Sequence, residues 1–574
     1  MFYFSQKNHY LCPVIFYTKY LNCMKNKTLL FLSGIALFAA CSQKQETVKF
    51  DPPQTTLTTI GNPYIPLWDH IPDGEPYVFE DPDNPGKFRV YVYGSHDIEV
   101  KNYCGRDQVV WSADVNDLLH WRMDGVILKV DKNGKGEQQK EADILFAPDV
   151  ALKVDKDGNK TYYLYPNNQV GGRNGMVAKS NRPDGPFEVI NWDKANPDTT
   201  DGVLKFDPAV FVDDDGKVYG YWGFGTSHVA ELDPETMATV KKGTKVTVRM
   251  IGGFEDKDDN EFRFFEASSI RKIKDKYVFI YSRFTKDGEF GLPTSNYTLA
   301  YAYSDTPTGP WTYGGTIIDG RAREKDPDGK VIPSATPDGN THGSICEING
   351  KWWVFYHRQN GLNEFSRQAM VAPINVTVEE GKGGKVTISE GEYTSEGFSV
   401  DGLNPTDIHP AAICCWHTGP KPAVHEWPNN TFYGSYVAAA YGTTPESNLK
   451  EPYALKNNIN PVVLNTDGSI VGYKYFNFTD FKGKNDVWLL LGMKPEGIDG
   501  KIEVYLDRPW AKQGGKLVGT LNIKADMPQA SAETPIKLDG MTNLDGKHAI
   551  YLVFSSPTKD KSICTLETIR FAAK

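Results

Sequence analysis

Five ionisable residues recur at one phase of the chain: Glu75 in GEPYVF, Asp149 in APDVAL, Asp207 in FDPAVF, Glu266 in FEASSI and His342 in THGSIC. They are spaced 74, 58, 59 and 76 residues apart, and they precede a turn-ending lysine by 12, 11, 10, 10 and 9 residues. Carboxylates gathered around one axis repel and raise one another's pKa, so a repeating set points to a use. Glycoside hydrolysis is one such use, because it needs one protonated carboxyl to assist the leaving oxygen and one ionised carboxyl to activate water. A third carboxylate keeps the acid protonated. Asp207, Glu266 and Glu75 supply that number, and the extra methylene of Glu suits an acid that must reach outward. Asp73, two residues before Glu75, faces the same way along a strand and competes for the base position. Calcium binding is the rival chemistry, through carboxylate oxygens with His342. No DxDxDG-type loop supports it, since DDDGK at 213–217 reads as a hairpin turn.

These residues need a repeating scaffold, and the chain has one. A polar turn ending in Lys, followed by an aromatic or β-branched run, occurs as DPDNPGK-FRVYVY, DKDGNK-TYYLY, DDDGK-VYGYW, KIKDK-YVFIY and EINGK-WWVFY. Each copy predicts a β-hairpin. SNRPDGPF from Ser180 and SDTPTGPW from Ser304 echo the same period. With no helical pattern between them, five sheet repeats predict an all-β chain, a five-bladed β-propeller whose innermost strands start at the five ionisable residues.

Composition agrees. The chain has 574 residues, with 53 Gly and 36 Pro concentrated in short turn clusters, which favours many short strands over long helices. A net charge of −10 argues against nucleic-acid binding. Lys25-Asn26-Lys27 followed by TLLFLSGIALFAAC reads as a signal peptide too short to span a bilayer as an ordinary helix. Phe38-Ala39-Ala40-Cys41 resembles a bacterial lipobox, which implies lipidation at Cys41 and a cell-envelope lipoprotein facing the periplasm, with surface display as the alternative. Cys104, Cys346, Cys414, Cys415 and Cys564 show no disulfide spacing.

The order GEP, APDV, FDP, FEAS, THGS, with RQAMVAPI at 367–374, resembles glycoside hydrolase family 43 over roughly 60–400. The resemblance implies a five-bladed propeller and an inverting enzyme that removes arabinose, xylose or galactose units from plant-type polysaccharide. It gives Asp207 the place of the pKa-modulating Asp and Glu266 that of the general acid. The family's base is an Asp followed by Pro. Here that register holds Glu75-Pro76, and the spacing of 12 to the lysine, against 14 from Asp73, puts Glu75 ahead of Asp73. Asp149 matches a residue that supports the sugar site, and His342 one near an axial ion. Trp68, Phe146, Trp222, Phe265 and Arg367 stand beside these motifs as substrate-binding candidates. No organic cofactor is implied; a structural calcium or other ion near the axis is the one inorganic option. The non-standard base keeps open a non-catalytic glycan-binding lipoprotein, and a galactofuranosidase-type enzyme is a further alternative.

Beyond residue 405 the repeat stops. Strand-like runs SIVGYKYFNF, DVWLLLGM, KIEVYLD, KLVGTLNI and KHAIYLVF predict a jelly-roll-like β-sandwich. The stretch resembles a family 6 carbohydrate-binding module, with Tyr473, Tyr475 and Trp488 as stacking candidates. The expected organisation is therefore an upstream extension and signal over 1–40, a linker over 41–59, a propeller over 60–405 and a sandwich over 406–574. The expected state is a monomer whose partners are a polysaccharide or oligosaccharide and, through the lipid, the membrane.

Overall fold

A computed structural model describes residues 48–98, 101–129, 144–169, 171–196, 198–439 and 446–574; the signal segment and Cys41 lie outside the described residues. The architecture is all-β. Five antiparallel sheets succeed one another along the first part of the chain. The first contains β1 (Glu75–Glu80), β2 (Phe88–Tyr93), β3 (Asp107–Asp114) and β4 (Asp117–Lys129). The second contains β5 (Asp149–Val154), β6 (Lys160–Tyr165), β7 (Ala178–Ser180) and β8 (Glu188–Val189). The third is β9 (Ala209–Val212), β10 (Val218–Trp222), β11 (His228–Leu232) and β12 (Thr247–Val248). The fourth is β13 (Phe264–Ile273), β14 (Lys276–Arg283), β15 (Thr298–Ser304) and β16 (Thr312–Asp319). After a hairpin of β17 (Arg323–Lys325) and β18 (Val331–Pro333), the fifth has β19 (Ser344–Ile348), β20 (Lys351–Gln359) and β21 (Arg367–Ile374).

The repeated aromatic runs are the second strands β2, β6, β10, β14 and β20, and their composition has a packing cause. Side chains alternate across a strand, and here both faces are buried. In β2, Val90 and Val92 enter a core shared with Trp353 and Phe355 of β20, while Tyr91 and Tyr93 enter one shared with Tyr162 and Leu164 of β6. In β14, Tyr277, Phe279 and Tyr281 pack towards Tyr219 and Tyr221 of β10, while Val278 and Ile280 pack towards Val354 and Tyr356 of β20. A further core joins Tyr165 to Val218 and Trp222. Each neighbouring pair of sheets thus shares a core, and the fifth sheet shares one with the first. Short turns reverse each hairpin: in Asn349-Gly350 both residues have positive φ, 50° and 77°, the geometry that suits a two-residue hairpin loop.

After a hairpin of β22 (Val376–Val378) and β23 (Val386–Ile388) come two larger sheets. One is ordered β28 (Tyr436–Val437), β29 (Val462–Val463), β36 (Cys564–Ala573), β31 (Val487–Pro495) and β34 (Ala532–Leu538), with β24 (His409–Pro410) also on β36. The other is ordered β25 (Trp416–Thr418), β30 (Ile470–Asn477), β35 (Lys547–Ser555), β32 (Gly500–Leu506) and β33 (Lys516–Ile523). A core containing Leu489, Leu491, Ile550, Leu552 and Phe571 draws on both sheets. A small hairpin of β26 (Val424–Glu426) and β27 (Asn429–Thr431) stands apart from them.

The two parts are joined through buried polar contacts. Arg358 of β20 donates to the carbonyls of Ala412 (2.6 Å) and Cys414 (3.0 Å). Lys474 of β30 reaches Glu324 of β17 at 2.8 Å. The N-terminal stretch is part of the same construction: Leu57 and Ile60 belong to the core of the C-terminal sheets, and Leu57 N–H donates to the Tyr453 carbonyl at 2.8 Å. Residues 55–60, expected to be the end of a linker and the start of the propeller, are therefore tied to the C-terminal part instead. The five cysteines among the described residues are buried and unpaired. Leu57→Ala should lower unfolding free energy by about 2–5 kcal/mol, the cost of emptying a core leucine site; equilibrium denaturation of the full chain measures it, and a cost near zero would mean that this stretch is a tether.

Candidate active site

The inner strand of each sheet presents two layers of side chains, because positions i and i+2 point the same way. The outer layer lines a cavity. Asp73, Ala147, Asp207 and His342 each sit two residues before the first residue of β1, β5, β9 and β19, and Glu266 joins them from the bulged start of β13. Tyr103, Cys104, Phe146, Gln169, Phe206, Asn340, Thr341 and Arg367 complete a cavity of about 170 Å³. The deeper layer lies outside that lining and is cross-linked. Tyr77 OH donates to Asp149 Oδ1 (2.6 Å), and Val210 N–H to Asp149 Oδ2 (2.6 Å). Ser269 Oγ meets Ser344 Oγ at 2.7 Å and donates to Glu75 Oε2 at 3.2 Å. Arg271 donates from its guanidinium to Glu75 Oε2 (2.8 Å), the Tyr77 hydroxyl (3.2 Å) and the Ile345 carbonyl (3.0 Å).

This layering separates the two base candidates, with Asp73 in the cavity lining and Glu75 outside it. Equal spacing to the turn lysine assumes turns of equal length, but the turns span 81–87, 155–159, 213–217, 274–275 and 349–350. Measured from the strand starts, Asp73 is the counterpart of Asp207 and His342, and Glu75 lies one step deeper with Asp149. Asp149 accordingly ties inner strands together beneath the cavity. Trp68 is also away from it, packed on Trp111 (5.6 Å between rings) with its indole N–H on the Pro452 carbonyl. Trp222 stacks on His228 at 5.3 Å, and Phe265 packs among Phe224, Phe254 and Phe284. Of the substrate-binding candidates, Phe146 and Arg367 line the cavity. Tyr473 is buried in the C-terminal core with its hydroxyl on the Ala411 carbonyl, so it offers no face to a ligand.

Asp73 is held from several sides. Arg367 donates to both its oxygens (3.0 and 3.1 Å), and Ser95 Oγ donates to Oδ2 at 2.5 Å. Its backbone N–H donates to Nδ1 of His357, whose Nε2 faces the Asn340 carbonyl at 2.9 Å. Arg367 also makes a two-pronged pair with Asp97 at 2.9 Å. Burial alone would raise the Asp73 pKa, but Arg367, followed by the neighbouring histidines and the Ser95 hydrogen bond, holds it below the ordinary carboxylate range. The other cavity carboxyls move oppositely. Burial, reinforced by Asp73, pushes Asp207 up to about 7, although Asn167 (2.9 Å) and the Ala267 N–H (3.1 Å) donate to it. Burial, reinforced by Asp207 and then Asp73, pushes Glu266 well above its ordinary value. In the deeper layer, burial raises Glu75 to about 7 and Asp149 to about 6. Burial lowers His342 to about 4, which leaves it neutral.

Two carboxylates hold left-handed backbone, Asp73 at φ 59° and Asp207 at φ 41°, as do Cys104 (63°), Asn167 (52°) and Ala267 (65°) beside them. Such strain persists where surrounding contacts over-determine it. The second strands supply what the sequence reading did not include: Ser95 and Asp97 follow β2, and Asn167 follows β6. Antiparallel pairing sets the end of the second strand beside the start of the first, as in Glu75 opposite Tyr93 and Asp149 opposite Tyr165. The polar residues trailing the aromatic runs, GSHD and PNN, carry that signal. His342 Nε2 and Glu75 Oε1 are buried, lack a hydrogen-bond partner, and face each other at 3.9 Å. Among the described residues no three His, Cys, Asp or Glu side chains are grouped to hold a metal ion.

Residues 88–380 match the family model of glycosyl hydrolases family 43, a match that begins after Asp73. A xylosidase/arabinosidase of Thermoclostridium stercorarium is 30% identical over 536 residues, covering 88% of this chain and 98% of that protein. An arabinoxylan arabinofuranohydrolase of Bacillus subtilis (strain 168) is 27% identical over 552 residues, covering 91% and 93%. The crystal structure of a glycoside hydrolase family 43 arabinoxylan arabinofuranohydrolase from Bacillus subtilis, in complex with cellotetraose, covers 90% of this chain and 99% of its own at 22% identity, with a TM-score of 0.42.

The raised pKa of Glu266 has a consequence for stability. Below its unfolded-state value the group is neutral in both states; as pH rises towards the folded value, only the unfolded chain ionises freely, so native stability falls. Glu266→Gln should therefore be more stable than the parent chain at pH 8 and equal to it near pH 4. Denaturant midpoints at the two pH values test this, and an equal offset at both would contradict the raised pKa.

Proposed function

The chain belongs to glycosyl hydrolases family 43, and from that premise we propose that it removes single arabinose or xylose units from arabinoxylan-type polysaccharide with inversion at the anomeric carbon. Galactose ranks third among the sugars. The observation that carries the reading is the opposite displacement of two carboxyls in one cavity, Asp73 downwards and Glu266 upwards. Environments that push two titratable groups apart assign the acid and the base.

In the proposed reaction Glu266 donates its proton to the glycosidic oxygen as that bond breaks. Asp73 takes a proton from a water whose oxygen attacks the opposite face of the anomeric carbon. Asp207, the largest carboxylate influence on Glu266, keeps it protonated between turnovers. Arg367 keeps Asp73 ionised and aimed, and Ser95 fixes its second oxygen. Each cycle ends with Asp73 protonated and Glu266 ionised, and exchange with solvent restores both. The cavity is well below the ~300–1,000 Å³ of pockets that enclose drug-sized ligands, which supports a single sugar as its occupant and the polymer outside. His342 Nε2, which lacks a hydrogen-bond partner, would be the ring nitrogen offered to a structural ion, and such an ion would supply fixed positive charge.

We read the five sheets as the blades of a propeller, supported by cores shared between neighbours and between last and first. The two larger sheets are read as a sandwich of carbohydrate-binding-module type, with Tyr475 and Trp488 as its remaining stacking candidates. The signal segment and Cys41 in the sequence support a lipoprotein anchored in the cell envelope.

Glu266→Gln and Asp73→Asn should each lower kcat by about 10²–10⁴-fold, the range for losing a general acid or base, whereas Glu75→Gln should lower it far less. An activated 2,4-dinitrophenyl pentoside should restore Glu266→Gln but not Asp73→Asn, because a good leaving group needs no proton. Aryl arabinofuranoside and xyloside assays, with NMR of the first-formed anomer, check both. Retention of configuration, or Glu75→Gln as the more damaging change, would overturn the assignment. Replacing Arg367 by Met should move the acid limb of the pH profile of kcat/KM upwards, since Asp73 would then ionise at higher pH; an unmoved limb would remove Asp73 from the base role.

A further inference from the structure

Trp427 is 69% exposed, the most exposed of the large apolar side chains among the described residues. It stands at the tip of the β26–β27 hairpin, where Glu426 pairs with Asn429 and leaves only Trp427 and Pro428 in the turn. This hairpin belongs to the C-terminal part of the chain, yet it docks on the loop between β20 and β21. Asn430 N–H donates to the Leu362 carbonyl at 2.8 Å, and Glu364 N–H donates to the Pro428 carbonyl at 3.1 Å. His425 Nε2 pairs with Glu364 Oε1 at 3.0 Å, and His425 Nδ1 faces Asn430 Oδ1 at 3.0 Å. The other oxygen of Glu364 accepts from the hydroxyl of Tyr103. Tyr103 lines the cavity, its ring lies under the Arg367 guanidinium at 4.9 Å, and its hydroxyl lies near enough to the Trp427 side chain to be influenced by it.

The hairpin thus places a bare indole one residue from the catalytic cavity and holds it there through the half-buried His425–Glu364 contact. A solvent-facing indole of this size offers a broad, rigid apolar face on which a partner can stack. Phe224, 54% exposed and packed at a tilt against the cavity residue Phe206 with 5.1 Å between rings, supplies a second apolar face on the rim. The cavity has room for one sugar, so whatever lies beyond the scissile bond must rest on this rim. We propose that Trp427, carried by the C-terminal domain, forms the leaving-group subsite and stacks on the polysaccharide sugar next to the bond being cut. The inference rests on the glycosidase reading and deepens it: the C-terminal domain completes the catalytic cleft, and part of the enzyme's preference for polymer over small glycosides is written in that domain.

The test compares Trp427→Ala and Trp427→Phe with the parent chain on arabinoxylan and on 4-nitrophenyl arabinofuranoside. Trp427→Ala should lower kcat/KM on arabinoxylan about tenfold, mostly through KM, the scale of one lost aromatic anchor. The fall on the aryl glycoside should be at least fivefold smaller, and Trp427→Phe should recover most of the loss. Equal falls on both substrates, or no fall on arabinoxylan, would overturn the proposal while leaving the glycosidase reading intact. If the parent chain cuts neither substrate, that reading fails, and retardation in arabinoxylan affinity gels decides the subsite separately: it stands if Trp427→Ala migrates faster than the parent and falls if the two migrate together. Light scattering of the parent chain completes the test, since a dimer that Trp427→Ala dissolves would make the indole an interface between copies and overturn the subsite.

Discussion

Crowding Asp73, Glu75, Asp97, Asp149, Asp207 and Glu266 at and beneath one cavity is the constraint on which the rest of the molecule depends. Left alone, such a set would take up protons or push the inner strands apart. Two guanidinium groups offset part of this charge, one in each layer. Arg367 sits between Asp73 and Asp97 beside the cavity, and Arg271 reaches Glu75 and the Tyr77 hydroxyl beneath it. Arginine suits both places because its planar fork satisfies two acceptors at once and keeps its charge when buried. Only Asp73 among the cavity carboxyls touches a guanidinium, and it is the one held low. In the proposed reaction, the difference between acid and base thus follows from where a single cation is placed.

The deeper layer explains how the cavity groups can be strained and still held accurately. Asp149 accepts from Tyr77 of β1 and from the Val210 N–H of β9, while Ser269 and Ser344 join β13 to β19. These bonds clamp the inner strands to one another just below the point where Asp73 and Asp207 turn into left-handed backbone. Catalytic groups need positions accurate to about half an ångström, supplied by residues that are themselves locked. The two layers divide that work, with cross-linking below and titration above.

The hairpin repeat was legible because its cause is strong and local: turn residues followed by runs buried on both faces give the same pattern at β2, β6, β10, β14 and β20. The five-residue phase was legible to within one strand step. It slipped at Glu75 and Asp149 because the turns shorten from 81–87 to 349–350, and turn length is set by local backbone geometry that the lysine spacing does not report. Residues after the second strands, such as Ser95, Asp97 and Asn167, needed the pairing register before they could be placed. The aromatic candidates were the least legible. Trp68 and Trp222 stand beside the right motifs, but alternation along the chain sends them into cores, and proximity in sequence to a site residue carries no information about which face a neighbour takes.

The boundary between the two parts of the chain carries a further consequence. Leu57, Ile60 and Leu67 enter the C-terminal core before the first sheet begins, and Arg358 of the last sheet is bonded to Ala412 and Cys414 beyond it. Glu364 is held between Tyr103 of the cavity and His425 of the C-terminal hairpin. A module that only tethered the enzyme to polysaccharide would work as well on a loose linker, since tethering depends on effective concentration and not on orientation. Buried contacts at both ends of the first part, together with an ion pair at the cavity rim, fix the orientation instead. A fixed orientation is what the proposed shared cleft requires, with the C-terminal surface and the cavity acting on one substrate chain at a set distance. The architecture therefore favours a shared cleft over an independent anchor.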